Sequence, residues 1–130
     1  MGRWQDILGW DNAQLRELRY IGYIYLKEGQ YETARHLYEG LVLLDPNNDY
    51  DWRTLGALYL YMNQYPKAIE VLNKALELSP TNPGAQLNLA KAYIYQGDRV
   101  KGIRDAKKLI SSLNKEVALD AEALVMAYEG

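Results

Sequence analysis

Residues 49–82 read DYDWRTLGALYLYMNQYPKAIEVLNKALELSPTN, and the spacing of Trp52, Leu55, Gly56, Tyr59, Ala68, Leu72, Ala75 and Pro80 within them decides the fold. The same spacing returns 34 residues away on either side, in Tyr25, Tyr59 and Tyr93, in Gly22, Gly56 and Ala90, and in Ile21, Leu55 and Leu89. It continues in Ala34, Ala68 and Gly102, in Leu41, Ala75 and Leu109, and in Val42, Leu76 and Ile110. The breaks repeat too: Asp45-Pro46-Asn47-Asn48 precedes Ser79-Pro80-Thr81-Asn82 by one period. A period of this length belongs to stacked helical hairpins.

Each repeated position has a physical task. Glycine or alanine at 22, 56 and 90 leaves the first helix of a hairpin without bulk, so the second can approach closely, and Ala34 and Ala68 answer from the opposite side. Tyr25, Tyr59 and Tyr93 are wedges between hairpins whose hydroxyls need polar partners. Gly29, Asn63 and Gly97 fall where the first helices should stop in a left-handed turn. Pro66 suits the first turn of a helix, and Asn82, Asp98 and Asp11 or Asn12 are expected N-caps. Each helix should run about 13–15 residues, or about 20 Å.

On these residues the chain resembles the tetratricopeptide repeat (TPR) family. The first repeat departs with Leu18 at the Trp position and Tyr38 at the Phe position. The third departs further, with Gln86, Gly102, Ala106 and Asn114 in place of Trp, Ala, the aromatic and Pro. The resemblance implies an all-α, right-handed solenoid: an N-terminal extension (1–14), three repeats (15–48, 49–82, 83–116) and a capping helix (117–130).

The composition fits one domain of 130 residues, 48% hydrophobic and 25% charged, with a net charge of −2. Its longest apolar runs fall short of the ~18 residues of a membrane span, and MGRWQDILGW has neither an apolar signal core nor a cleavage site, so a cytoplasmic location is expected. Asp6 breaks the myristoylation pattern. The absence of cysteine excludes disulfides and thiolate metal sites, and the lone His36 reads as a solvent-facing residue. No phosphate loop or catalytic constellation accompanies it, so the expectation is a non-enzyme without cofactor or metal.

Function should lie on the concave wall, which the first helices of such a solenoid line. Counting by three and four along them yields Arg16, Arg19, Tyr23 and Lys27, then Tyr50, Arg53, Ala57 and Tyr61, then Leu87, Lys91 and Tyr95, with Leu26, Leu60, Gly84 and Ile94 interspersed. Cations and tyrosines dominate and no acid intrudes, which suits an extended peptide: rings supply rigid apolar area, while Arg and Lys hold carboxylates or carbonyls. The competing reading buries the aliphatic members between helices and leaves the cations as a solvated face. Arg19→Glu, Arg53→Glu and Lys91→Glu are expected to weaken partner capture without unfolding the domain, whereas Gly56→Leu should wedge a hairpin apart.

The carboxylate clamp of co-chaperones in the family consists of Lys, Asn, Asn, Lys and Arg; here those positions hold Arg19, Tyr23, Thr54, Gly84 and Asn88, which argues against it. YLKEGQYETARHLYEGLVLLDP followed by DWRTLGALYLYMNQYPKAIEVL is instead similar to the first two repeats of bacterial type III secretion chaperones of the translocator or needle-subunit class. That resemblance implies a chaperone cradling an extended or helical segment of a secreted subunit before export. A general scaffold or adaptor for complex assembly is the alternative, and neither nucleic acid nor membrane is the expected partner.

Trp4, Ile7, Leu8 and Trp10 form an apolar cluster on a piece too short to bury it alone. Two readings stand: a cap on the first hairpin, or a contact for a homodimer or hetero-complex, as family chaperones often dimerise through this arm. Leu113, Val117, Leu124, Val125 and Tyr128 are expected to form the apolar side of the closing helix. Arg99, Lys101, Arg104, Lys107 and Lys108 crowd the last second helix, which reads as a solvated outer face or, failing that, a surface for an acidic protein.

Overall fold

The computed structural model describes residues 9–129. Among them are seven helices: α1 (Asn12–Lys27), α2 (Tyr31–Leu44), α3 (Asp49–Tyr61), α4 (Tyr65–Leu78), α5 (Pro83–Gln96), α6 (Arg99–Lys107) and α7 (Lys115–Glu129). They pair as three antiparallel hairpins, α1 with α2, α3 with α4 and α5 with α6, and α7 packs against α6 and α5. The protein is an all-α solenoid.

Local chemistry sets the helix ends. Asp11 accepts from the Gln14 amide at 2.8 Å while Gln14 Oε1 accepts from the Asp11 amide at 2.9 Å, a reciprocal cap that starts α1. Asn48, Asn82 and Asp98 cap α3, α5 and α6 through the amides of Asp51, Ala85 and Lys101. The first helices stop at Gly29, Asn63 and Gly97, with φ of 75°, 61° and 116°. Only glycine, and next to it asparagine, tolerates that turn without strain.

The small residues let each hairpin close. A methyl at Gly56 would lie 2.5 Å from the Leu72 side chain, and one at Gly22 2.9 Å from the Tyr38 ring. Ala34, Ala68 and Ala90 are wholly buried, beside Leu41, Leu55 and Leu72 in a first core cluster and Ala106, Leu109 and Leu124 in a second. Tyr59 wedges between hairpins and donates its hydroxyl to Glu39 at 2.5 Å. Burial raises the Tyr59 hydroxyl to about 12, and its bond to Glu39 reinforces the rise.

Two expectations about the third hairpin need correction. The second helix α6 has 9 residues rather than the expected 13–15. Beyond Lys107 the chain tightens into turns, Leu109 to the Ala106 carbonyl at 2.9 Å and Ser112 to the Leu109 carbonyl at 3.0 Å. The Ser112 hydroxyl then accepts from the Asn114 amide at 3.1 Å, and Asn114 caps α7 through Val117 at the same distance. This polar competition ends α6 early and starts α7 at Lys115. Leu113, expected on the closing helix's apolar side, is fully exposed in the turn before it. Val117, Leu124 and Val125 are buried as expected.

The cap register also explains why α7 closes the stack. Counting eight residues from the caps Asn48, Asn82 and Asn114 reaches Gly56, Ala90 and Glu122. Where the first two admit a partner helix, Glu122 places an exposed carboxylate.

A candidate protein-binding groove

A cavity of about 340 Å³ opens between the first helices α1, α3 and α5. Leu26, Ala57, Leu58 and Ala85 supply its apolar lining, and Arg53, Thr54, Asn82 and Asn88 its polar groups. Tyr31 and Tyr61 form one wall, their ring centroids 4.5 Å apart and tilted by 59°. Asn82 is committed to capping α5, so the hydrogen-bonding capacity left for a guest belongs to Thr54, Asn88 and Arg53.

The wall of tyrosines extends with the repeat. Tyr65 meets Tyr95 at 5.7 Å one period after Tyr31 meets Tyr61, and Tyr95 meets Tyr128 of α7 at 6.1 Å. The first two contacts join the start of a second helix to the end of the next first helix, and the third joins the ends of α5 and α7. Tyr61 is nonetheless 67% exposed, which keeps most of its ring available.

Of the residues expected in the groove, Arg53, Ala57 and Tyr61 line this cavity together with Leu26 and Gly84. Arg53 donates from Nε to Asp49 at 3.1 Å and stacks its guanidinium 5.6 Å from the Tyr50 ring. Tyr50 is half-buried against Tyr38, so it supports Arg53 from below. On α1, Tyr23 and Lys27 are exposed and face each other at 5.6 Å, and Arg16 is exposed. Lys91 is half-buried and Tyr95 belongs to the tyrosine wall.

Arg19 and Leu87 do not face a guest. Arg19 donates from Nε and Nη2 to Asp51 at 2.7 and 2.6 Å, and from Nη2 to Asp45 at 3.1 Å. Its hydrogen bonds to Asp51 hold the guanidinium above its ordinary pKa against the opposing effect of burial. Burial pushes the Asp51 carboxyl up in spite of the opposing pull of Arg19. This is a structural ion pair joining α1 to α3, and the expectation that Arg19→Glu leaves the domain folded is corrected accordingly. Leu87, 5% exposed, packs in the second core cluster, as does Ile94.

The expected list lacked Tyr31, Thr54, Leu58, Ala85 and Asn88. A signal for two of them lies in the period: Thr54 and Asn88 occupy one column, 34 residues apart, and both are among the positions that fail to match the carboxylate clamp. Tyr31 begins a second helix, a class of position that counting along first helices never reaches.

At the N-terminus, Trp10 is half-buried against the first core cluster and borders a recess of about 270 Å³ with Gln14, Glu17, Leu18 and Ile21. Trp4, Ile7 and Leu8 lie outside the described residues. His36 is exposed, as its position in α2 suggested. No described helix is long and apolar enough to cross a membrane.

Residues 42–129 match the family model described as the cytochrome c-type biogenesis protein H TPR domain, and residues 16–48 match that of the tetratricopeptide repeat. The chain belongs to the tetratricopeptide repeat family. Among solved structures it is similar to the Yersinia enterocolitica type III secretion chaperone SycD in complex with a peptide of the translocator YopD. That pair shares 22% identity over 92% of this chain and 95% of the other, with a TM-score of 0.81. PcrH, in complex with the chaperone binding region of PopD, is 19% identical over 92% and 93% of the two chains at a TM-score of 0.80; PcrH is from Pseudomonas aeruginosa. The first TPR of Spaghetti (RPAP3), bound to the HSP90 peptide SRMEEVD, is 19% identical over 92% and 97% at 0.78. At these identities the likeness is one of fold. No curated protein sequence matches the chain significantly.

Proposed function

We propose that this protein is a non-catalytic bacterial chaperone, working in the cytoplasm, that holds an extended or helical segment of a type III secretion subunit in the α1–α3–α5 groove before export. The observation that carries the reading is the cavity itself: an apolar lining, a tyrosine wall and three polar side chains able to meet a guest backbone. SycD and PcrH, similar in fold over nearly their whole length, are seen with translocator segments. The groove residues are Arg53, Ala57 and Tyr61 with Leu26, Tyr31, Thr54 and Asn88, and Arg16, Tyr23, Lys27, Lys91 and Tyr95 extend the wall for a longer guest. Trp10, seated on the core, supports the N-terminal stretch as a cap on the first hairpin.

The second reading, an adaptor for complex assembly, is supported by the family match, whose description names cytochrome c biogenesis. Affinity purification from the native cell separates the two. A single small, aggregation-prone secreted partner that is lost with Ala57→Arg supports the chaperone, and several large folded partners support the adaptor. Capture that survives Ala57→Arg removes the groove from either account.

A further inference from the structure

A second cleft, of about 710 Å³, lies between α6 and the end of α7, away from the groove. On α6, Ile103, Arg104 and Lys107 lie three, four and seven residues after Val100, the spacing that places side chains on one face. Val100 is 77% exposed, a branched apolar side chain left in water at the middle of a cationic surface. Ile103 and the Tyr128 ring complete an apolar floor, and Lys108 adds a cation at the end of the helix.

The cleft already performs, within the chain, the chemistry of holding an acidic helix end. Lys107 is paired with the Glu129 carboxylate, and Arg99 donates to the Tyr128 carbonyl in the last turn of α7. Among the described residues Arg104 and Lys108 have no ion-pair partner, although the chain as a whole is acidic. Two free cations beside an apolar floor are complementary to carboxylates that flank apolar side chains.

We propose that the α6–α7 cleft is a second docking site, which takes an acidic amphipathic helix of a protein partner, with its apolar stripe on Val100, Ile103 and Tyr128 and its carboxylates on Arg104 and Lys108. A polyanion read by charge alone would have no use for the apolar floor. The cleft shares no lining residue with the α1–α3–α5 cavity, and its Tyr128 touches Tyr95 at the far end of the tyrosine wall.

Fluorescence anisotropy on the full chain tests this with a labelled synthetic helix bearing leucine at heptad spacing and glutamate elsewhere. The comparison probes are the same helix with lysine for glutamate, polyglutamate, a single-stranded oligonucleotide and phosphatidylserine vesicles. The acidic helix should bind, and Arg104→Glu/Lys108→Glu should weaken it about tenfold or more. Val100→Ser should weaken it several-fold, and Ala57→Arg, in the groove, should leave it unchanged. Melting curves of the exposed-site variants verify that they remain folded. Failure of the acidic helix to bind, binding indifferent to the α6 variants, or equal binding of any comparison probe overturns the proposal.

Discussion

Arg19 on α1 grips both carboxylate oxygens of Asp51 on α3, and Asp51 is completely removed from solvent. One repeat later the pair is dissolved: Arg53 stands in the column of Arg19, but Ala85 stands in the column of Asp51. The first arginine therefore ties two hairpins together, while the second turns to the groove. Removing one partner of such a pair strands the other. Asp51→Ala should cost about 3 kcal/mol, near the lower end for buried pairs because Arg19 keeps Asp45. Chemical denaturation measures it, and a loss below about 1 kcal/mol would mean the pair is held too loosely to join the hairpins.

Partner capture should follow Arg53 and not Arg19. Arg53→Glu and Tyr61→Ala, both at the cavity edge, are expected to change stability by under about 1 kcal/mol while reducing capture about tenfold. Arg19→Glu should instead lose capture together with the fold, because it sets a third carboxylate against Asp51 and Asp45. Pull-down beside a melting curve distinguishes the two patterns.

Glycine substitutions should change sign with their surroundings. A methyl at Gly102 would sit 2.4 Å from Ile94 and 2.8 Å from the Ala90 carbonyl oxygen, so Gly102→Ala should destabilise by about 1–3 kcal/mol. Gly40, also helical, has open space around it, and Gly40→Ala should stabilise by about 0.5–1 kcal/mol. Gly56→Leu, which drives a larger side chain into Leu72, should be the most damaging of the three. Equal effects at Gly40 and Gly102 would deny the close hairpin contact.

Alkaline pH should weaken the fold through Tyr59. In the unfolded chain its hydroxyl ionises near 10, whereas burial and the bond to Glu39 keep it protonated up to about 12 in the folded protein. Between those values the folded state binds the extra proton, so stability falls as pH rises. Tyr59→Phe should lose less stability than the parent between pH 9 and pH 11, in denaturation midpoints taken at both; parallel losses would exclude Tyr59 as the source.

Removing α7 should uncover the second core cluster, since Val117, Ala121, Leu124 and Val125 are buried against Ala90, Ile94 and Ala106. A chain ending at residue 114 is expected to aggregate, as read by light scattering. A monodisperse product would show that α5 and α6 close the solenoid unaided.

Much of the fold was legible because its signals are local. Asp11, Asn82, Asp98, Gly29, Asn63 and Gly97 act on the backbone within a turn of themselves, so their roles survive in any surroundings. The short α6 was missed because nothing in the apolar period reports that Ser112 and Asn114 would compete for the backbone. In the groove, Ala57, Arg53 and Tyr61 were found by helical counting, while Tyr31 was not, since it reaches the cavity from a different helix.

The repeat by itself determined that helices pair, where the first helices stop, and which positions must stay small, because those are matters of hydrogen bonds and steric contact between residues one period or one turn apart. Which side of the ion-pair question each arginine falls on was decided only in three dimensions. Arg19 and Arg53 are the same residue in the same register, and what separates an interior strut from a groove cation is whether a carboxylate or a methyl stands opposite on the next first helix. Burial and charge pairing are properties of neighbours across the packing, and a chain read end to end does not carry them.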